Sequence, residues 1–234
     1  MRQKLALLPG LLCDPRLWKH QARHLADIAD VWVGDFTTQD SIAAMARSVL
    51  GAMTGRFALE GLSMGGYVAL EVMRQAPERV ARLCLLDTSA RPDTPEQTRR
   101  RRDLLALVAR GKFKGVTRQM LPLFLHPARL NDRPLADAVM AMAAHVGREA
   151  YVRQQTAIMG RSDSRPSLGA IRCPTLVICG RQDALTPRGV SEEIAAGIPG
   201  ARLSVIEDCG HLSTMEQPAR VTALMRAWLA GDGR

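Results

Sequence analysis

Short apolar runs alternate with amphipathic stretches along most of the chain. Six runs have the length of strands, and most are apolar at successive positions, as strands covered on both faces are. The runs are Leu5–Leu8, Val31–Val33, Phe57–Leu59, Leu83–Leu86, Thr175–Cys179 and Leu203–Ile206. Helical spacing of apolar residues fills the intervals, at about 16–28, 41–54, 64–76, 188–197 and 216–230. This alternation predicts an α/β fold with right-handed βαβ units in an open, mostly parallel six-stranded sheet flanked by helices.

The alternation stops between the fourth and fifth predicted strands. Residues 91–168 contain no convincing strand, and their apolar residues recur at helical spacing. Prolines interrupt this segment repeatedly, and Asn131 is placed to cap a helix. The pattern predicts a helical cap, residues 91–168, inserted between strands of an α/β core that consists of residues 1–90 and 169–234.

The positive charge of the chain is concentrated in the predicted cap. The formal net charge is +9 over 234 residues. Residues 91–165 contain 15 basic and 7 acidic residues, whereas the rest of the chain contains 17 and 16. The segment includes the run Arg99–Arg102, but it has few aromatic residues and no nucleic-acid-binding motif, so no nucleic-acid partner is expected. Three explanations stay open: a solvated helical face, attraction for an acidic substrate, or binding of an acidic acyl-carrier protein.

Composition argues against several other classes of protein. No apolar run approaches the roughly 20 residues of a membrane span, so no membrane association is expected. The apolar stretch at Leu5–Leu8 is shorter than the core of a signal peptide, which favours a cytoplasmic location. The five cysteines lack the spacing of metal ligands. We therefore expect neither a disulfide framework nor a metal site, and no cofactor.

A nucleophile motif follows the third predicted strand. Gly61–Gly65 has the pattern G-x-S-x-G, with a strand before it and a helix after it. This setting is typical of a sharp strand-to-helix turn that exposes a serine hydroxyl. The hydroxyl needs a base to remove its proton before it can attack a carbonyl carbon. Ser63 is therefore the predicted nucleophile.

The partners of Ser63 are expected at the carboxyl edge of the sheet, where ligands bind in open α/β sheets. His211, just after the last strand, is the predicted base; the other four histidines lie on the first helix or in the cap. Asp183, after the fifth strand, is the predicted acid that orients the base. Asp87 at the end of the fourth strand is the alternative acid, although we expect it to anchor the entry to the cap.

The tetrahedral intermediate of acyl transfer needs two hydrogen-bond donors for its oxyanion. The backbone N–H of Met64, directly after the nucleophile, is the first candidate. The second is the backbone N–H of Leu11 in the loop after the first strand, where Gly10 lets the backbone approach closely. Cys13, in the same loop, is a weaker candidate for an alternative nucleophile because it lacks the sharp turn.

These residues together resemble the α/β-hydrolase superfamily over nearly the whole chain. The elbow Gly61–Gly66, the acid-bearing segment Cys173–Asp183 and the histidine loop from Gly210 to Pro218 carry the likeness. The chain is most similar to small capped serine hydrolases, such as pimeloyl-carrier-protein methyl ester esterases and 3-oxoadipate enol-lactonases. The resemblance implies a triad of Ser63, Asp183 and His211, with an oxyanion hole formed by Leu11 and Met64.

The predicted activity is hydrolysis of a carboxylic ester of a small or medium acyl substrate through an acyl-enzyme intermediate. The same triad is compatible with a thioester, a lactone, a carbon–carbon bond or a carrier-bound methyl ester. A non-catalytic ligand-binding protein on this fold is a further alternative. The cap methionines, Met120, Met140, Met142 and Met159, either roof an acyl pocket or simply pack the cap.

Overall fold

A parallel six-stranded sheet forms the centre of the protein. The computed structural model describes residues 2–231, so residue 1 and residues 232–234 of the predicted core lie outside the described residues. The strands are β1 (Gln3–Leu8), β2 (Ala29–Val33), β3 (Phe57–Leu62), β4 (Val80–Leu86), β5 (Thr175–Gly180) and β6 (Arg202–Ile206). All five strand pairings are parallel. The predicted sheet is therefore confirmed, with each strand one to three residues longer than its apolar run.

The strand order places several loops beside one another. The order across the sheet is β2-β1-β3-β4-β5-β6. The chain runs outward in one direction from β1 to β2 and in the other from β3 to β6, so the order reverses between β1 and β3. The carboxyl ends of all six strands lie at one edge, where α/β proteins bind ligands at such a reversal point. The loop after β1 therefore lies next to the loop after β3, and the loop after β5 next to that after β6.

Helices cover both faces of the sheet. The helices are α1 (Lys19–His24), α2 (Ile42–Ala52), α3 (Met64–Gln75), α4 (Pro95–Ala109), α5 (Arg133–Met159), α6 (Arg165–Leu168), α7 (Arg188–Gly197), α8 (Ser213–Glu216) and α9 (Pro218–Ala230). Successive strand residues point to opposite faces, so Leu5 and Leu7 pack in one core while Ala6 and Leu8 pack in the other. The first core includes residues of α9, and the second includes residues of α2, α3 and α7.

The segment between β4 and β5, where the sequence predicts the cap, is helical throughout its regular parts. It contains α4, α5, α6 and two short 3₁₀ turns, Arg118–Leu123 and Pro127–Arg129. The long helix α5 breaks at Gly147, whose φ of 79° and ψ of 179° only glycine adopts readily. The break divides α5 into two helical parts that meet at a kink. None of the described helices has the length and apolar character needed to cross a membrane.

Three details of the predicted helices were wrong. The helix expected at 16–28 is a 3₁₀ turn, Pro15–Trp18, followed by the short α1. The helix expected at 216–230 begins at Pro218, because the residue before a proline avoids helical torsion angles and Gln217 has a φ of −127° and a ψ of 54°. Asp132, not Asn131, caps α5, since its carboxylate accepts a hydrogen bond from the N–H of Leu135.

Candidate active site

Ser63 occupies the turn between β3 and α3 in a strained backbone conformation. Its φ is 55° and its ψ is −115°, in a region that residues with a side chain rarely adopt. The conformation is held by its backbone N–H, which donates to Leu86 O at 3.0 Å, and by its carbonyl, which accepts the hydroxyl of Thr88 at 2.7 Å. The turn is thus anchored to β4 on both sides of the serine, and the side chain is left partly exposed.

The glycines around Ser63 are required by close packing. A Cβ on Gly61 would lie 2.2 Å from the carbonyl oxygen of Gly65, and a Cβ on Gly65 would lie 2.1 Å from that of Leu8. These are backbone atoms and cannot move aside without separating β1 and β3 from α3. The pattern of small residues therefore follows from the tightness of the turn.

His211 and Asp183 form a hydrogen-bonded pair. His211 Nδ1 lies 2.8 Å from Asp183 Oδ2, and both side chains are almost fully buried. The other carboxylate oxygen, Asp183 Oδ1, accepts the backbone N–H groups of Leu185 and Thr186, and Oδ2 also accepts the hydroxyl of Thr186 at 2.6 Å. These bonds fix the carboxylate, and the carboxylate in turn directs Nε2 of the imidazole away from itself.

The pair is electrostatically coupled. Burial alone would lower the pKa of His211, but the charge of Asp183 and its hydrogen bond outweigh burial and raise that pKa above its ordinary value of 6.5. Burial alone would raise the pKa of Asp183, but the imidazole and the bonds from Thr186 outweigh it and lower that pKa. Each partner thus stabilises the charged form of the other, as an acid that supports an imidazolium should.

Asp87, the alternative acid, does not contact His211 Nδ1. Its carboxylate accepts the N–H of Gly180 at 2.8 Å and the hydroxyl of Ser213 at 2.5 Å, so it joins β4 to β5 and to α8. These bonds hold the chain to the core at the point where it leaves β4 for the helical segment, as expected of a residue that anchors the entry to the cap. Burial and the charge of Asp183 raise the pKa of Asp87 to about 8.

Ser63 and His211 line the same cavity. Its volume is about 450 Å³, and it lies between the carboxyl edge of the sheet and the helical segment above. Within the described residues the hydroxyl of Ser63 makes no hydrogen bond to His211, whose bonded ring nitrogen faces Asp183. Bonds between catalytic groups are often long without substrate and shorten once it binds. Ser63 and His211 therefore lie at the same cavity, and we expect substrate binding to shorten the distance between their side chains.

The loop after β1 lies against Ser63. A Cβ on Gly10 would be 3.3 Å from Ser63 Cβ, so a side chain there would crowd the serine and glycine relieves this contact. The N–H of Leu12 donates to Gln154 Oε1 at 3.0 Å and that of Cys13 to Gly10 O. Among the described residues, the N–H groups of Leu11 and Met64 donate to no other group. Leu11 lines the cavity, whereas Met64 is buried beside Ser63 and is not one of the lining residues.

Two supporting residues were missed by the sequence analysis. Gln154 of α5 is buried, and its side chain joins the N–H of Leu12 to the carbonyl of Phe36. It thereby fixes the loop that carries Leu11. No local motif marks such a residue, because its partners lie more than a hundred positions away in the chain.

Glu216 is the second missed residue, and it joins the histidine loop to the helical segment. Its carboxylate accepts the N–H groups of Gly210 at 3.0 Å and His126 at 2.6 Å. Phe124 O accepts the N–H groups of His211 and Leu212, and Arg129 donates to Glu216 O at 2.6 Å. The position of His211 therefore depends on residues 124–129 as well as on its own loop.

Neither the other histidines nor Cys13 fits the role of base or nucleophile at this cavity. None of the other four histidines lines the cavity; they are His20, His24, His126 and His145. Cys13 does line it, but burial and the neighbouring Asp14 raise the pKa of its thiol to about 12, which keeps the thiol protonated and weakly nucleophilic. In the part of the chain that the structure describes, no cluster of side chains could hold a metal ion.

The predicted methionine roof is only partly formed. Met120 and Met142 line the cavity, together with Val139 and Phe124. Met140 instead packs against the core at the margin of the cavity, and Met159 does not line it. Adaptable apolar packing is therefore available on one wall of the cavity.

Comparison with known proteins agrees with this architecture. A model of the alpha/beta hydrolase family matches residues 5–224. A pimeloyl-[acyl-carrier protein] methyl ester esterase of Neisseria meningitidis serogroup B is 29% identical, and the match covers 97% of this chain and 88% of that protein. A putative carbamate hydrolase RutD of Variovorax paradoxus is 32% identical over 76% of this chain and 69% of its own length.

Solved structures are similar over almost the whole chain. A thermophilic esterase from Thermogutta terrifontis has a TM-score of 0.88 and 34% identity, covering 98% of this chain and 90% of that one. The enol-lactonase from Burkholderia xenovorans LB400 has the same TM-score, 0.88, and 25% identity, covering 98% of this chain and 92% of that one. With its parallel sheet, its sharp strand-to-helix turn at Ser63 and these relatives, the chain belongs to the alpha/beta hydrolase family and is a hydrolase.

Proposed function

We propose that this hydrolase cleaves a carboxylic ester through an acyl-enzyme intermediate, with Ser63 as nucleophile, His211 as base and Asp183 as the acid that orients it. The observation that carries the proposal is the shared cavity: the strained serine and the buried His211–Asp183 pair line or adjoin one space of about 450 Å³. Such a volume accommodates a small or medium acyl chain.

In the first step, the hydroxyl oxygen of Ser63 forms a bond to the ester carbonyl carbon, while Nε2 of His211 takes the hydroxyl proton. Nε2 is the nitrogen available for this task, since Nδ1 is bonded to Asp183 at 2.8 Å. The carbonyl oxygen becomes an oxyanion, which the free N–H groups of Leu11 and Met64 stabilise. The carbon–oxygen bond to the alcohol then breaks, and His211 returns the proton to that alcohol.

In the second step, His211 takes a proton from water, and the hydroxide oxygen attacks the acyl carbon. The bond to Ser63 breaks, the serine regains its proton, and the carboxylic acid leaves. Asp183 stays ionised throughout and stabilises the imidazolium in both steps. The raised pKa of His211 makes proton capture from the serine more favourable.

The test is replacement of Ser63 by alanine, with p-nitrophenyl butyrate as substrate. Loss of a triad member should lower kcat by about 10⁴-fold or more. Ser89→Ala is the matched control, because Ser89 lines the same cavity and its hydroxyl accepts a backbone N–H of Arg91. The control should keep kcat within about twofold. Ester turnover by the Ser63 variant equal to that of the control would eliminate the mechanism.

Other substrates of the same triad, namely thioesters, lactones, carbon–carbon bonds and carrier-bound methyl esters, are variants of this proposal. The proposal of an acyl-carrier-protein partner depends on the exposed arginines of α4, among them Arg99 and Arg102, which would bind its acidic surface. The cytoplasmic location likewise remains a prediction. A non-catalytic ligand-binding role would be favoured if a fluorophosphonate failed to label Ser63.

A further inference from the structure

Arginines dominate the charge of the cavity wall. Four of them line it: Arg91, Arg100, Arg101 and Arg161. Among the described residues that line the cavity, Asp93 is the one acidic side chain. The mechanism proposed above uses none of these groups. A cavity wall with this excess of positive charge favours an anionic group over a purely neutral ligand.

Asp93 cannot neutralise both of the arginines that it contacts. Its side chain is 1% exposed, and its two oxygens accept from different guanidinium groups: Oδ2 from Arg101 Nε at 2.7 Å and Oδ1 from Arg161 Nη1 at 2.6 Å. Two cations thus share one anion, and one positive charge is left over. Arg91 is compensated separately, by Glu193 at 2.8 Å on the surface.

Over residues 2–231, each of the two arginines that share Asp93 has an N–H group that makes no hydrogen bond. Arg101 uses Nη1 for Gln155 Oε1 at 2.6 Å, and Arg161 uses Nε for the carbonyl of Arg91 at 3.0 Å. Within the described residues, neither Nη2 makes a hydrogen bond. The side chain of Arg161 is only 6% exposed, and that of Arg101 is 22% exposed, so the net positive charge of the group of Arg101, Arg161 and Asp93 is largely shielded from bulk water. An anion that binds there would compensate this charge.

The arginine pair lies near the nucleophile. The guanidinium of Arg161 stacks on the ring of Tyr67, with 4.4 Å between its central carbon and the ring centroid. Tyr67 follows Ser63 by one turn of α3, about 5.4 Å along the helix axis, and its N–H donates to Ser63 O. Both Tyr67 and Ser63 line the cavity. An ester carbonyl at Ser63 and a charged group at Arg161 can therefore lie in the same cavity.

We propose that the substrate is an ester whose acyl part carries a carboxylate, and that Arg101 and Arg161 bind that carboxylate. This inference rests on the ester hydrolysis proposed above. Guanidinium groups match a carboxylate in shape, and the group of Arg101, Arg161 and Asp93 keeps one net positive charge that one carboxylate would neutralise. We assign the charge to the acyl part because only this part stays bound through both chemical steps.

The test compares two esters that differ in one charge, mono-p-nitrophenyl glutarate and its methyl ester, methyl p-nitrophenyl glutarate. The wild-type enzyme should prefer the anion in kcat/KM by about tenfold or more, since hydrogen bonds to charged groups are worth at least that factor. Arg101→Gln should lower this preference by about tenfold. Arg110→Gln at the exposed end of α4 is the control and should leave the preference unchanged.

Binding to Ser63→Ala, measured by calorimetry, separates the two proposals. If the wild-type enzyme hydrolyses neither ester but the variant binds the anionic one about tenfold more tightly, the mechanism fails and the carboxylate site stands. Equal binding and equal kcat/KM for the two esters overturn the carboxylate site, while hydrolysis that depends on Ser63 keeps the mechanism. Tighter binding of p-nitrophenyl phosphate than of the glutarate monoester would reassign the site to phosphate and also overturn the inference.

Discussion

Replacement of Asp87 by asparagine should stabilise the protein at neutral pH. The carboxylate is fully buried, and it accepts one N–H from Gly180 and one hydroxyl from Ser213. Asparagine has the same shape: its oxygen accepts the N–H of Gly180, and its amide group donates to the hydroxyl oxygen of Ser213 once that hydroxyl rotates. No buried group loses its partner in this substitution, and the only property removed is a titrating proton.

The size of the effect follows from the pKa of Asp87, which burial and Asp183 raise from 3.8 to about 8. Between these two values the unfolded chain is ionised at Asp87, whereas the folded protein keeps the proton. Unfolding therefore releases a proton, and the free energy of unfolding falls by about 1.36 kcal/mol for each pH unit. From pH 5 to pH 7 the wild-type protein should lose about 2.7 kcal/mol through this group, and the variant should not.

Urea unfolding at pH 5, 6 and 7 measures this difference. The stability of Asp87→Asn relative to wild type should increase by about 1.4 kcal/mol per pH unit, a slope that does not depend on the exact upper pKa. Asp163→Asn is the control, because Arg165 lowers the pKa of that surface carboxyl and its titration is complete below pH 5. A constant difference between Asp87→Asn and wild type would mean that Asp87 is ionised in the folded protein, and the reasoning would be refuted.

Two further substitutions test the packing around the site. Gly65→Ala places a Cβ 2.1 Å from Leu8 O and should cost about 3 kcal/mol or more in urea unfolding, whereas Gly51→Ala meets nothing within 4 Å and should be neutral or stabilising. Gln154→Leu leaves the N–H of Leu12 and a backbone carbonyl unpaired, and should cost about 2–4 kcal/mol and slow p-nitrophenyl ester hydrolysis. Equal stability of the two alanine variants, or an unchanged Gln154→Leu enzyme, would contradict these assignments.

The parts of the fold that depend on local pattern could be predicted from the sequence. All six strands were predicted. The four inner strands are mostly buried on both faces and form continuous apolar runs, while the edge strands β2 and β6 are only partly buried but keep short apolar runs. Helix ends were less predictable where a proline or a competing cap intervenes, as at Gln217 and Asp132. The break at Gly147 was also not foreseen, since one glycine in a long helix does not by itself distinguish a kink from a continuous turn.

The site was predictable only as far as chain order and loop position determine it. Ser63, Asp183 and His211 each follow a strand, so their meeting at one edge follows from the parallel sheet. Gln154, which holds the loop after β1, comes from a distant part of the chain and carries no local signal. Glu216 lies only five residues after His211, but its bond to the N–H of His126 spans 90 positions and could not be foreseen. The sharing of Asp93 by two arginines was equally hidden, because a basic run on a helix does not indicate which member turns inward.

The bonds between residues 124–129 and the histidine loop determine where the cavity can open. Phe124 O holds the N–H of His211, and Arg129 holds Glu216 O. Movement of residues 124–129 away from the sheet would carry His211 away from Ser63. Arg100 of α4 is exposed, lines the cavity and takes part in none of these bonds, so entry past Arg100 would leave the histidine loop in place. An anionic ester on this path would pass the guanidinium groups first. The charges that recognise the ester would then also increase its association rate, and high salt would lower that rate.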